Sequence, residues 1–193
     1  MPGFEIIGKE EQNAVNDVFE KSNGVLFAHG FDDKRNHIFR VRDFEKDFAS
    51  KFGNGYAAAC TSGTSAQYIA MKAMGIEPGD EVITQSFTFI ATIEAILACG
   101  AIPVVVDIND TYNMDPYEFE KAITSKTKMV IPVHMLGNPA EMEKITEIAQ
   151  RNNILVLSDA CEALGASYKG TSTAYLGDAA VFSLDFGKTI TSG

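Results

Sequence analysis

An α/β fold, with helices on both faces of a mostly parallel sheet, is predicted by three observations. Short apolar runs alternate with amphipathic helical stretches from residue 56 onward. The runs are nearly continuous in apolar residues rather than alternating, as expected of strands buried on both faces. Turn-forming residues separate the segments, and neither an internal repeat nor a low-complexity linker interrupts them. At 193 residues the chain can bury one substantial core but hardly two, so a single domain over 1–193 is expected.

The elements follow in order. A first helix is expected from near Gly8, because Ala14, Val15, Val18 and Phe19 share one face and Ser22-Asn23-Gly24 supplies a stop. A short helix then sets Phe44, Phe48 and Phe52 four residues apart, which predicts a core face, and Gly53-Asn54-Gly55 marks a turn. The βαβ rhythm begins with a strand over 56–60, a helix over 64–74, a strand over 81–84, a helix over 90–99 and a strand over 102–107. It continues with a helix over 116–123, a strand over 129–133, a helix over 139–151 and a strand over 154–158. Met142, Ile145, Ile148 and Ala149 give that last helix one apolar face, and a final strand leads through Val181 into the loop that carries Lys188.

Composition narrows the function classes. Hydrophobic residues make up 46% and charged residues 22%, and no apolar run approaches the length of a membrane span, so a soluble globular protein is expected. The N-terminus turns acidic at once and lacks the basic-then-apolar pattern of a secretory signal, which predicts a cytoplasmic protein. Cys60, Cys99 and Cys161 are odd in number and far apart, which argues against a disulfide framework or a zinc site and predicts reduced, buried thiols. A net charge of −10 disfavours nucleic acid and anionic membranes as partners. One local exception is Lys34, Arg35, Arg40 and Arg42, a basic patch that could receive an anionic substrate and could equally be a solvated face.

In a parallel sheet, ligands sit at the carboxyl ends of the strands. The loops after Cys60, Thr84, Val133, Ser158 and Leu184 should therefore converge, and the informative residues fall in them. Thr61-Ser62-Gly63-Thr64-Ser65 opens a helix, where unpaired N–H groups and the helix dipole suit a phosphate, Gly63 allowing close approach; an ordinary Ser/Thr cap is the alternative. Neither G-x-G-x-x-G after a strand nor G-x-x-x-x-G-K-[ST] occurs, which disfavours dinucleotide enzymes and NTPases. Phe89, at a strand end, can stack on a flat heterocycle or belong to the core. Asp159 can pair with a pyridinium nitrogen or cap a turn, with Glu162 within reach of another ring edge. Lys188 is an amine on a constrained loop, suited to a Schiff base with a cofactor aldehyde or else a surface charge.

Together these residues resemble the sugar aminotransferases of the DegT/DnrJ/EryC1/StrS group, fold type I enzymes of pyridoxal 5′-phosphate. The resemblance spans the chain through Ile7-Gly8-Lys9-Glu10-Glu11, Phe44-Glu45, Ser62-Gly63-Thr64 and Ser86-Phe87-Thr88-Phe89. It continues through Pro132-Val133-His134, Asp159-Ala160-Cys161-Glu162 and Phe182-Ser183. It implies that Lys188 holds the cofactor and shuttles protons, that Asp159 bridges to the pyridine nitrogen, and that Gly63, Thr64 and Ser183 bind phosphate. Phe89 would stack on the ring, Glu162 would lie near its hydroxyl, and His134 would be structural.

The resemblance also implies glutamate as amino donor, a keto or aldehyde sugar as acceptor, and a homodimer. Members that dehydrate sugars tend to carry histidine in place of the lysine, so Lys188 favours transamination. The sequence Phe186-Gly187-Lys188 with Ile190-Thr191-Ser192-Gly193 looks most like the branch that makes 8-amino-3,8-dideoxy-manno-octulosonate for lipopolysaccharide; Asp185-Phe186-Gly187 is not a kinase motif, since the other kinase signatures are missing. Family members usually continue into further large-domain sequence and a small C-terminal domain, so 1–193 is expected to be the N-terminal portion of the cofactor-binding domain. Two further readings stand beside this one: a related pyridoxal phosphate dehydratase or lyase, and a noncatalytic truncated binding module. Arg35, Arg40 and Arg42 hint at a carboxylate or phosphate on the substrate.

Overall fold

The computed structural model describes residues 3–26, 30–52 and 55–192. They divide into two units, Met1–Ala59 and Cys60–Gly193. The first unit contains helix α1 (Lys9–Lys21) and helix α2 (Arg40–Phe52). The Glu11 carboxylate accepts the Gly8 N–H at 2.7 Å, which satisfies an N–H that the first turn of α1 leaves without an intrahelical partner. Neither helix buries a residue, and Val15 and Phe19 are 58% and 54% exposed. The core expected from Phe44, Phe48 and Phe52 is instead a tilted aromatic ladder on α2, with ring centroids 5.6 and 4.7 Å apart. An apolar stripe becomes core only where another element covers it, and helical periodicity cannot supply that cover. The turn expected at Gly53-Asn54-Gly55 begins outside the described residues.

The second unit holds helices α3 (Gly63–Ala73), α4 (Ala91–Ala98), α5 (Pro116–Lys121) and α6 (Met142–Arg151). Its strands are β1 (Glu81–Gln85), β2 (Ile102–Val106), β3 (Thr127–Ile131), β4 (Leu155–Asp159), β5 (Ser167–Tyr168), β6 (Thr171–Ser172) and β7 (Ala179–Val181). Five strands form one sheet in the order β2-β1-β3-β4-β7, every pair parallel. In register, Ile83 lies between Val104 and Val130, and Ser158 lies beside Ala180. Successive side chains point to opposite faces and each face has its own core. Val82, Met129, Ile131 and Leu157 pack with Met71 of α3 and Ile96 of α4. Ile83, Val130 and Val156 pack with Phe119 of α5 and Ile145 of α6. The result is the expected three-layer sandwich, each such side chain contributing roughly 1.5–3 kcal/mol by burial.

Several details differ from the expectations. Residues 56–60 form no strand: they find no ladder partner among the described residues, and a strand exists only through its ladder. Strand β2 is not buried on both faces, because it is the sheet edge, where Pro103 costs no ladder bond. Strand β3 begins and ends two residues early, at Thr127 and Ile131, although Val133 still makes a parallel bridge to Asp159. The β5–β6 hairpin was not foreseen; its turn, Lys169-Gly170, has positive φ at both positions, which suits the strand twist. Cys99 is buried as expected, but Cys60 is exposed and Cys161 is only partly buried. No helix among the described residues is long and apolar enough to cross a membrane.

Candidate active site

The carboxyl ends of β1, β3, β4 and β7, with the N-termini of α3 and α4, assemble the site. Asp159 is the last residue of β4 and is only 3% exposed. Its Oδ2 accepts hydrogen bonds from Gln67 Nε2 at 2.7 Å and Thr92 Oγ1 at 3.1 Å, and its Oδ1 accepts from the Cys161 N–H at 3.1 Å. Burial pushes the Asp159 pKa up, while hydrogen bonds from the Cys161 side chain, the Cys161 N–H and Thr92, together with the Lys188 charge, pull it back. The Cys161 side chain adds a further hydrogen bond to the same carboxylate. A buried carboxylate fits a cationic N–H donor such as a pyridinium, whose charge would offset the cost of ionising it.

Lys188 lies in the loop after β7, where its N–H donates to the Asp185 carbonyl at 2.9 Å. Its Nζ is 3.4 Å from Glu162 Oε1, and the other Glu162 oxygen accepts the Leu136 N–H at 3.0 Å. Leu136 holds a left-handed conformation, φ 54°, followed by Gly137 at φ 82°; this strained pair places the amide at Glu162. Lys188 thus lies beside the half-open Glu162 carboxylate and near enough to the buried Asp159 for its charge to act on it.

The loop before α3 supplies the third component. Ser62 Oγ accepts the Ser65 N–H at 3.0 Å, so the ordinary cap is realised. The Gly63 and Thr64 N–H groups have no acceptor among the described residues and remain available to an anion. A Cβ on Gly63 would lie 3.2 Å from both Ser183 Cβ and Cys161 Sγ, so glycine is what lets the Ser183 hydroxyl approach this helix end. Phe89 is 69% exposed rather than core, one turn ahead of Thr92, whose N–H donates to the Phe89 carbonyl at 3.2 Å.

Buried amides fix the loops. Gln85 Oε1 accepts the Met114 and Val133 N–H groups at 3.0 and 3.1 Å, and its Nε2 donates to the Phe87 carbonyl at 2.8 Å, which ties three loops to the end of β1. Ala140 N–H donates to His134 Nδ1 at 3.1 Å, so Nε2 carries the proton and donates to Ser158 Oγ at 2.8 Å; that hydroxyl donates on to the Thr173 carbonyl at 3.1 Å. Burial lowers the His134 pKa to about 4, which keeps it neutral. Burial likewise raises the Cys161 thiol well above the ordinary range, which makes it inert.

Gly63, Asp159, Glu162, Ser183 and Lys188 are therefore brought into one region, with Thr64 and Phe89 on the helix ends that border it. Arg35, Arg40 and Arg42 belong to the first unit and are engaged there. Arg35 is buried, its Nε donating to the Ile38 carbonyl at 2.8 Å; Arg35 and Arg42 both lie over the Phe39 ring, at 4.6 and 4.2 Å, and Arg40 is 3.8 Å from Asp17. Sequence reasoning missed Gln67 and Thr92. The signal was an isolated polar residue on the buried face of each helix, Gln67 in line with Met71 and Thr92 with Ile96.

Comparison with known proteins bears on the family and the fold. Residues 7–193 match the profile of the DegT/DnrJ/EryC1/StrS aminotransferase family. The chain is 48% identical over 155 residues to a GDP-perosamine synthase of Caulobacter vibrioides, covering 79% of this chain and 42% of that protein. It superposes on the crystal structure of 3-amino-5-hydroxybenzoic acid synthase with a TM-score of 0.88 at 36% identity, covering 97% of this chain and 47% of the other. It also matches NtdA of Bacillus subtilis, solved with its cofactor PMP bound, with a TM-score of 0.78 at 34% identity, covering 93% and 40%. The chain spans less than half the length of the curated relatives it matches.

Proposed function

The chain belongs to the DegT/DnrJ/EryC1/StrS aminotransferase family, and from that premise we propose that it is the pyridoxal-phosphate-binding part of a glutamate-dependent sugar aminotransferase. The observation that carries this reading is the Lys188 amine beside Glu162, with its charge acting on a buried Asp159 on which several donors converge. When bound, pyridoxal phosphate supplies an aldehyde that condenses with amines and a ring that accepts electrons from the adjoining carbon.

The residues divide the work by chemistry. The Gly63 and Thr64 amides and the Ser183 hydroxyl would hold the phosphate, with the α3 dipole contributing up to ~2 kcal/mol. Asp159 would accept a hydrogen bond from the ring nitrogen and keep it protonated. Glu162, anchored by Leu136, would face the ring hydroxyl, and Phe89 would cover the ring. Lys188 Nζ, released by the incoming amino donor, would take the proton from the donor Cα and return it elsewhere on the same framework. Because the oxo product of the donor would leave before the acceptor enters, two half-reactions would share this site and the same Lys188 base.

The acceptor in this reading is a keto or aldehyde sugar, with the oxidised eight-carbon acid sugar of lipopolysaccharide synthesis as the specific candidate from the residues around Lys188. The protein would act as a homodimer in the cytoplasm. The test is addition of glutamate to protein loaded with pyridoxal phosphate. One equivalent of 2-oxoglutarate per site, with loss of the visible band, is expected; a loaded protein that yields none with glutamate would contradict the donor assignment.

A further inference from the structure

Gln67 sits in the middle of α3 on the buried face it shares with Met71, where an apolar side chain would fill the same space. It is 2% exposed, and its Nε2 makes the shortest of the three bonds to Asp159, at 2.7 Å. Its Oε1 has no hydrogen-bond partner among the described residues. A buried, unsatisfied acceptor is an uncompensated cost for the fold, accepted here so that the N–H can be aimed at the carboxylate. Reversing the amide would turn Oε1 toward Asp159, which is repulsive if the acid is ionised and favourable if it is protonated.

We propose that Gln67 is a positioning residue acting through Asp159: its amide holds the carboxylate ionised and turned so that it meets the cofactor's ring nitrogen. The inference rests on the pyridoxal phosphate reading above. Without the Gln67 donor, burial favours the neutral acid more strongly, and the proton shared between Asp159 and the ring moves from nitrogen to carboxyl. No proton is gained or lost by the pair, but the ring loses its positive charge. The same amide, reversed, can accept from a protonated Asp159 before the cofactor arrives.

The test loads ring-¹⁵N-labelled pyridoxal phosphate into the wild-type protein, Gln67→Met, Gln67→Asn and Thr92→Val, and reads the nitrogen resonance. Affinity and borohydride-stable labelling of Lys188 are measured alongside. The wild type should show a protonated ring nitrogen. Gln67→Met should move the resonance toward the unprotonated position and weaken affinity about tenfold, with Lys188 still labelled; Gln67→Asn, one methylene short, should move it in the same direction. An unmoved resonance in a folded Gln67 variant would overturn the positioning role alone. So would failure of both Gln67 variants to fold while Thr92→Val folds, since Gln67 would then belong to the core. Absence of label on wild-type Lys188 would overturn the cofactor reading and this inference with it.

Discussion

Burial acts in opposite directions on two neighbours at the sheet's carboxyl edge. Asp159 is raised, chiefly by desolvation, and His134 is lowered to about 4 for the same reason. For His134 the sign is clear: the unfolded chain binds the proton near pH 6.5 and the folded chain only near 4. Its stabilising contribution is therefore present above pH 6.5 and is lost as pH falls toward 4, on the order of 3 kcal/mol in all. His134→Gln should flatten that slope, which urea titrations of both proteins at several pH values would measure. For Asp159 the neutral acid stabilises the fold at low pH, and this is lost as pH rises through the raised pKa. Asp159→Asn should therefore raise the melting temperature of the cofactor-free protein at pH 8 while weakening pyridoxal phosphate binding at least about tenfold. Asp159, Glu162 and Lys188 were picked out in the sequence because each sits at or just beyond the end of a recognisable strand. Gln67 and Thr92 were not, because a helical pattern marks a face as buried without saying which polar atom it meets across the core.

At the scale of elements, close approaches rather than propensities set the loop geometry. A Cβ on Gly63 would meet Ser183 and Cys161 at 3.2 Å, so Gly63→Val should push the Ser183 strand end away from the α3 N-terminus. Phosphate affinity should fall more than stability, a split that calorimetric titration with pyridoxal phosphate and thermal melting would reveal. Gly177 differs: a Cβ there would lie 2.6 Å from the Val156 carbonyl oxygen, at the entry to β7, and Gly177→Ala should cost about 1–3 kcal/mol by overpacking. The alternation of strands and helices was readable because β1, β3 and β4 are central, almost wholly buried and carry apolar residues through their middles. Strand pairing was not: residues 56–60 have strand composition and no ladder, and β5 and β6, only two residues each, depend on a Lys169-Gly170 turn that periodicity cannot detect.

For the whole chain, both apolar cores lie between Met71 and Val181, within the second unit, whereas α1 and α2 bury nothing. The second unit alone, residues 60–193, should unfold cooperatively in urea, and residues 1–59 alone should show no cooperative transition by circular dichroism. The central claim is that one lysine and one buried aspartate at the carboxyl edge of this sheet hold pyridoxal phosphate. Its most direct test is borohydride reduction after incubation with the cofactor, followed by peptide mapping of the wild type and Lys188→Ala. A single reduced adduct on Lys188, absent from the variant, is predicted. No adduct, or one spread over surface lysines and unchanged in Lys188→Ala, would contradict it.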